Sequence, residues 1–146
     1  MLQILQEQPG AHVVEFEVVD QRRQFAKRPV VQMQVAESLG LVVSLTTDMV
    51  QINELPSFDM SAQLLKTRGA PVFALSTDIS PPVLCCGAKK KLSFYRWDGS
   101  GFSEWREVAI LDTPSCISWC GDSVCVGAGR KYLLLSPADG SEKALF

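Results

Sequence analysis

Histidine is almost missing from this chain; His12 is the single one. That removes the commonest general base and metal ligand, and leaves no second histidine with which a serine or cysteine could form a triad. Standing before an apolar strand, His12 reads as an edge or packing residue. Long hydrophobic runs are missing too. Apolar stretches of five or six residues fall far short of the ~20 that a membrane helix needs. The opening MLQILQEQPGAHVVE has neither a basic start nor a small-residue cleavage site, so no signal peptide is expected. Excess charge of one sign is also lacking. Fourteen basic and sixteen acidic residues leave a net charge of −2, which gives nucleic acid no general attraction. No glycine pattern cradles a phosphate, because Gly127-Ala128-Gly129-Arg130 leads into a strand and not a helix. Five cysteines, an odd number with irregular spacing, fit a reducing compartment.

What the sequence does contain is short strands. Val30 to Val35 (VVQMQV) and Leu92 to Trp97 (LSFYRW) alternate with period 2. Leu41 to Leu45, Val83 to Cys86 and Tyr132 to Leu135 are continuous apolar runs, as expected of strands covered on both faces. No window holds a sustained helical period. Met1 to Gln8 has room for a helical turn or two before Pro9-Gly10. His12 to Val19 reads as a further strand.

The strands recur in groups of four. One group runs from Val30 to Lys66, a second from Val72 to Ile110, and a third from Cys116 to Phe146. Their starts near 30, 71 and 115 lie 41 and 44 residues apart, the spacing of β-propeller blades. The expectation is an all-β chain: a partial β-propeller of about three four-stranded blades plus a truncated leading blade. Residues 1–29 would hold the truncated blade or a flexible start, and residues 30–146 the complete blades. A propeller usually closes with at least four blades, so this reading makes the chain a piece of a longer propeller. A β-sandwich is the rival, but it has no reason to repeat every four strands.

Candidate chemistry is sparse. Asp20, Asp48, Asp59, Asp78, Asp98, Asp112, Asp122 and Asp139 fall mostly at turns, where carboxylates accept local backbone hydrogen bonds. Cys85 and Cys86 are adjacent and so point to opposite faces of a strand. Cys116 and Cys120 share a face but lack the close-paired spacing of a zinc site. No metal, cofactor or catalytic residue is assigned. The strongest charged feature is Lys89-Lys90-Lys91 at a hairpin, with Arg96 further along the strand. It reads first as a solvated turn that blocks stray strand pairing. Its functional alternative is a contact with an acidic partner or, weakly, with an anionic membrane. Trp97 and Trp119 are assigned as packing anchors between blades.

Several stretches together carry a family resemblance. They are Lys89-Lys90-Lys91-Leu92 with Ser93-Phe94-Tyr95-Arg96-Trp97, then Ile117-Ser118-Trp119-Cys120 leading to Ser123-Val124-Cys125-Val126-Gly127. Arg130-Lys131-Tyr132-Leu133-Leu134 and the closing Glu142, Lys143, Leu145 and Phe146 continue the pattern. Leu41 to Leu45 with Val50-Gln51-Ile52 looks like a preceding blade. The sequence resembles the citron homology family over about residues 28–146, most densely in the last sixty. Within that family it is similar to the form carried by tethering subunits of the vacuolar protein sorting-associated protein 39 type. The resemblance implies a non-catalytic propeller module without cofactor. It implies action in vesicle docking and fusion at late endosomes, lysosomes or vacuoles. The implied partners are a Rab-family small GTPase and other tethering-complex subunits, with no nucleic acid and at most weak peripheral membrane contact. A citron homology region regulating a kinase or Rho exchange factor, and a small β-sandwich enzyme, are the alternatives.

Overall fold

Short connections make neighbours in sequence into neighbours in space, and that rule organises the whole chain. In the computed structural model, which describes residues 2–7, 16–22 and 25–145, all strand pairing is antiparallel and sequential. A hairpin of β1 (Leu2–Glu7) and β2 (Phe16–Arg22) comes first. Three four-stranded meanders follow. The first contains β3 (Val30–Ala36), β4 (Leu41–Thr46), β5 (Val50–Glu54) and β6 (Met60–Leu64). The second contains β7 (Val72–Ser76), β8 (Val83–Ala88), β9 (Lys91–Trp97) and β10 (Phe102–Ala109). The third contains β11 (Pro114–Cys120), β12 (Ser123–Ala128), β13 (Lys131–Leu135) and β14 (Glu142–Ala144). Sheets that each close on themselves in sequence order, stacked in series, are propeller blades and not the interleaved sheets of a sandwich.

One expectation is corrected. Within the stretch expected to hold a helical turn or two, the described residues Leu2–Glu7 form a strand laddered onto Phe16–Arg22. Six residues are too few to sustain an isolated helix, while a paired strand satisfies its backbone at once. The expected strand from His12 to Val19 is described only from Phe16 on; His12 lies outside the described residues.

The blades stack face to face. Along β8 the alternation of side chains divides one strand between two cores. Leu84, Cys86 and Ala88 join Leu41, Val43, Leu45, Val50, Ile52, Phe73 and Tyr95 between the first and second blades. Val83 and Cys85 join Leu92, Phe94, Val124, Val126 and Leu135 between the second and third. Every residue of β4 and β8 is buried, which is why both strands read as continuous apolar runs. The second and third blades approach closely at Gly87. A Cβ there would lie 2.2 Å from Pro114 Cγ, so the glycine is needed for contact and not for its dihedral freedom.

The inner edges are joined by side chains. β3 carries its glutamines toward the second blade. Gln32 Nε2 donates to the Phe73 carbonyl (2.6 Å), and Phe73 N–H donates back to Gln32 Oε1 (3.1 Å). Gln34 repeats the exchange with Leu75, at 2.9 and 3.3 Å. Each carboxamide imitates one rung of a ladder on the otherwise open edge of β7. The opposite side of β3 leaves Val31, Met33 and Val35 exposed. The usual reading of an alternating strand is therefore inverted: its polar side chains serve the contact.

The glutamine rungs generate a stability prediction. Replacing Gln32 and Gln34 together by alanine strips Phe73 and Leu75 of their partners. About 1 kcal/mol per lost hydrogen bond gives a loss of roughly 2–4 kcal/mol in denaturant unfolding, well above the effect of Val31→Thr on the exposed side.

Candidate interaction surface

The basic candidates belong to the hairpin between β8 and β9. Ala88 pairs with Lys91, so Lys89 and Lys90 form the turn, and both are exposed. Lys89 adopts φ 54°, in the region glycine ordinarily fills. The Lys90 carbonyl accepts from Ile110 N–H at 2.9 Å, which ties the turn to the end of β10. Lys91 pairs with Glu107 at 3.0 Å.

Arg96 stands apart from the lysines. It lies five residues along β9 from Lys91, roughly 17 Å at about 3.4 Å per residue. Its guanidinium lies over the ring of Trp105, with Cζ 3.7 Å from the centroid. Arg96 Nε is buried and has no partner among the described residues. The structure thus brings Lys89 and Lys90 together and assigns Arg96 to a stacked contact instead. Trp105 packs between blades as Trp97 and Trp119 do. A β-bulge between Glu104 and Arg106 turns its ring toward the third blade, where it meets Phe94 edge-on. The bulge has no signature in the alternation.

Trp97 packs against Phe102 (5.1 Å between centroids) beside the core of the first two blades. Trp119 reaches back from the third blade. Its Nε1 donates to the Ala74 carbonyl at 3.0 Å, and its ring stands edge-on to Phe94 at 6.2 Å. It is half-buried, not enclosed.

Tyr95 was also missed. The residue is 3% exposed, and its hydroxyl has no partner among the described residues. Burial, with lesser contributions from Cys86, Glu104 and Glu107, pushes its ionisation up to about 12. Between the first and second blades it lines two adjoining recesses, of 290 and 350 Å³, over which Lys66 of the first blade bridges to Glu104 of the second at 2.9 Å.

The remaining polar candidates have local roles. Asp98 Oδ1 accepts from Ser100 N–H and from Gly101 N–H, both at 2.9 Å, and the hydrogen bonds to Ser100 and Gly101 hold its carboxyl below the ordinary value. Asp139 Oδ1 accepts from Ser141 N–H at 2.8 Å, with the same consequence. Cys85 and Cys86 are buried on opposite faces of β8; Cys116 and Cys120 are exposed. Burial raises the Cys86 thiol to about 12 and also raises Cys85. Among the described residues, no group of three or more His, Cys, Asp or Glu side chains could hold a metal ion. No described helix is long and apolar enough to cross a membrane.

Serially stacked four-stranded meanders define a propeller scaffold whose hairpins and inter-blade clefts are its working surface. Residues 10–144 match the CNH domain model, and the chain belongs to that family. CNH domains are non-catalytic interaction modules. The chain is 33% identical over 123 residues to vacuolar sorting protein 39 of Arabidopsis thaliana, covering 84% of this chain and 12% of that protein. It is 31% identical over 131 residues to the human Vam6/Vps39-like protein, covering 85% and 15% respectively. It therefore spans a small fraction of these relatives. Among solved structures, the AfRom2 CNH domain superposes with a TM-score of 0.68 at 15% identity, covering 91% of this chain and 48% of that one. At that identity the likeness shows the fold alone.

Two outcomes follow for this surface. Trp119→Phe keeps most of the ring but loses the bond to Ala74, and should cost about 1 kcal/mol. Trp119→Ala should cost about 2–3 kcal/mol, below the range for a fully buried tryptophan, both read by denaturant unfolding. The raised Cys86 and Tyr95 groups contribute stability that is fully present below their unfolded values. That contribution is lost between about pH 9 and 12 for Cys86 and between about pH 10 and 12 for Tyr95. Unfolding followed against pH should show stability falling across that window, with a smaller fall in Tyr95→Phe.

Proposed function

We propose that this chain is the propeller segment of a tethering-complex subunit acting in vesicle docking and fusion at late endosomes, lysosomes or vacuoles. The observation that carries the reading is the family match over residues 10–144 together with 31–33% identity to Vps39-type proteins. In this reading a Rab-family GTPase and other tethering subunits are the partners, and any membrane contact is peripheral. In this reading the β1–β2 hairpin belongs to a truncated leading blade, and the three four-stranded meanders are the complete blades. The physical logic is that of a rigid scaffold: buried sheets hold hairpins in fixed positions, so a partner binds without ordering the loops first. The Lys89-Lys90 turn is the contact we assign to an acidic partner surface, because both ammonium groups project to solvent. Charge at such a rim position acts mainly on encounter and selectivity.

The test is retention of the full chain on immobilised Rab-family GTPases loaded with GDP or with a non-hydrolysable GTP analogue. We expect at least one GTPase to retain it in a nucleotide-dependent way, and the double substitution Lys89→Glu, Lys90→Glu to reduce retention several-fold. Equal retention in both nucleotide states across the set would refute the GTPase assignment. Retention unchanged by the double substitution would move the contact elsewhere.

A further inference from the structure

The two faces of the first blade are covered unequally. The face toward the second blade is dry. On the other face the β1–β2 hairpin covers only part of the sheet, where Ile4 packs with Phe25 against Val42. Val31, Met33 and Val35 of β3 stay 58, 38 and 58% exposed. The second blade shows what such positions do when a sheet lies over them. Phe73 and Leu75 of β7 lie opposite Cys86 and Leu84, as Met33 and Val35 of β3 lie opposite Ser44 and Val42. The two pairs hold matching places, on the face turned toward the preceding sheet. Phe73 is 0% and Leu75 5% exposed, because the first blade covers them. Their counterparts in β3 are equally apolar and lie bare.

Charge marks one end of this stripe. Lys27 and Arg28 stand just before β3, and both are exposed. With Val30 and Met33 they line a recess of 400 Å³ that has no carboxylate among its walls. Neither cation has an ion pair or side-chain hydrogen bond among the described residues. Asp48 lines the neighbouring recess with them but pairs with neither. The surface is an apolar stripe with a cationic end.

We infer that this face receives an extended segment of a partner protein, in which apolar side chains alternate along the strand and two acidic residues follow. Alternate residues of a strand project to one side about 7 Å apart, which is the spacing along Val31, Met33 and Val35 themselves. Facing sheets keep their strands nearly aligned. A strand laid along β3 therefore covers all three side chains and carries its acidic end to Lys27 and Arg28. A basic end would meet two unpaired cations. Other occupants fit less well. A helix offers apolar residues at three- and four-residue spacing, whereas strands fill the matching place over Phe73 and Leu75. A second copy has no spare strand, since each described strand is laddered in its own sheet. The open face of its third blade carries Tyr132 and Lys143, and no acidic strand residue. Two cations fall short of the roughly four to eight that recruit an anionic membrane. The inference rests on the interaction-module reading but not on the GTPase assignment.

The probe is the acetylated, amidated peptide Thr-Val-Thr-Val-Thr-Val-Thr-Glu-Glu, titrated into the full chain and followed by backbone amide NMR shifts. Saturable shifts centred on residues 26–36 are expected. Val35→Thr and the double substitution Lys27→Glu, Arg28→Glu change exposed side chains, so both variants should keep the parent spectrum away from the stripe. Each should weaken binding about five-fold or more. Two control peptides should not saturate: one with lysines in place of the glutamates, and Thr-Thr-Val-Val-Val-Thr-Thr-Glu-Glu, which keeps the composition and loses the alternation. Absence of saturation with the first peptide, equal binding of either control, or unchanged affinity in either variant would each overturn the inference. A dimer seen by sedimentation and abolished by Val35→Thr would give the face to a second copy instead. Binding to phosphatidylserine vesicles that the charge reversal abolishes would give it to a membrane. Val35→Thr should leave GTPase retention intact, and Lys89→Glu with Lys90→Glu should leave peptide affinity intact, so failure here is distinguishable from failure of the tethering assignment.

Discussion

The stacking of sheets on both faces of β8 is the constraint on which the rest of the structure depends. A four-stranded antiparallel meander exposes two faces, and one blade alone can bury neither. Leu84 and Cys86 are dry only because the first blade covers them, and Val83 and Cys85 only because the third does. The apolar content of the chain thus serves contacts between repeats more than contacts within them, as in repeat proteins generally. Stability is then shared along the stack. Damage at one interface is felt by both blades that form it.

Close approach sets the remaining demands. Gly87 has no side chain because Pro114 occupies that space. Trp119 crosses the same interface to a backbone carbonyl, which fixes the third blade's first strand against the second blade's. Toward the rim the packing loosens, and the side chains there are charged and paired in the open: Lys66 with Glu104, Lys91 with Glu107. The gradient from dry interface to wet rim leaves clefts where recognition can occur without disturbing the fold.

Much of the fold was legible in the sequence. Val30–Ala36, Leu41–Thr46 and Lys91–Trp97 each differ by one residue from the runs read in the sequence, because turns such as Gly40 and Asp98-Gly99 punctuate the runs clearly. The repeat of four strands was readable as spacing. Met60–Leu64 ends before the expected Lys66 because a 3₁₀ turn over Leu65–Thr67 takes the chain out of the sheet. The surface was less legible. Arg96 looked continuous with the lysines in one dimension, yet its strand carries it to the other end of the blade and onto Trp105. Tyr95 gave no signal, since an alternating aromatic in a strand looks like core. Its hydroxyl becomes conspicuous only when its surroundings are known. For Gln32 and Gln34, too, alternation tells which residues share a side, not which side is covered.

Those two glutamines have a consequence for how the blades are aligned. Their carboxamides sit two residues apart on one strand and grip backbone groups two residues apart on the next, each across a sequence separation of 41 residues. The pair works like a vernier. Sliding one blade against its neighbour by a single residue would present both amides with backbone groups that point the wrong way. Sliding by two would leave one amide engaged and the other empty. The connecting loops are thereby relieved of setting the alignment, so their lengths can vary while the inner strands stay in step.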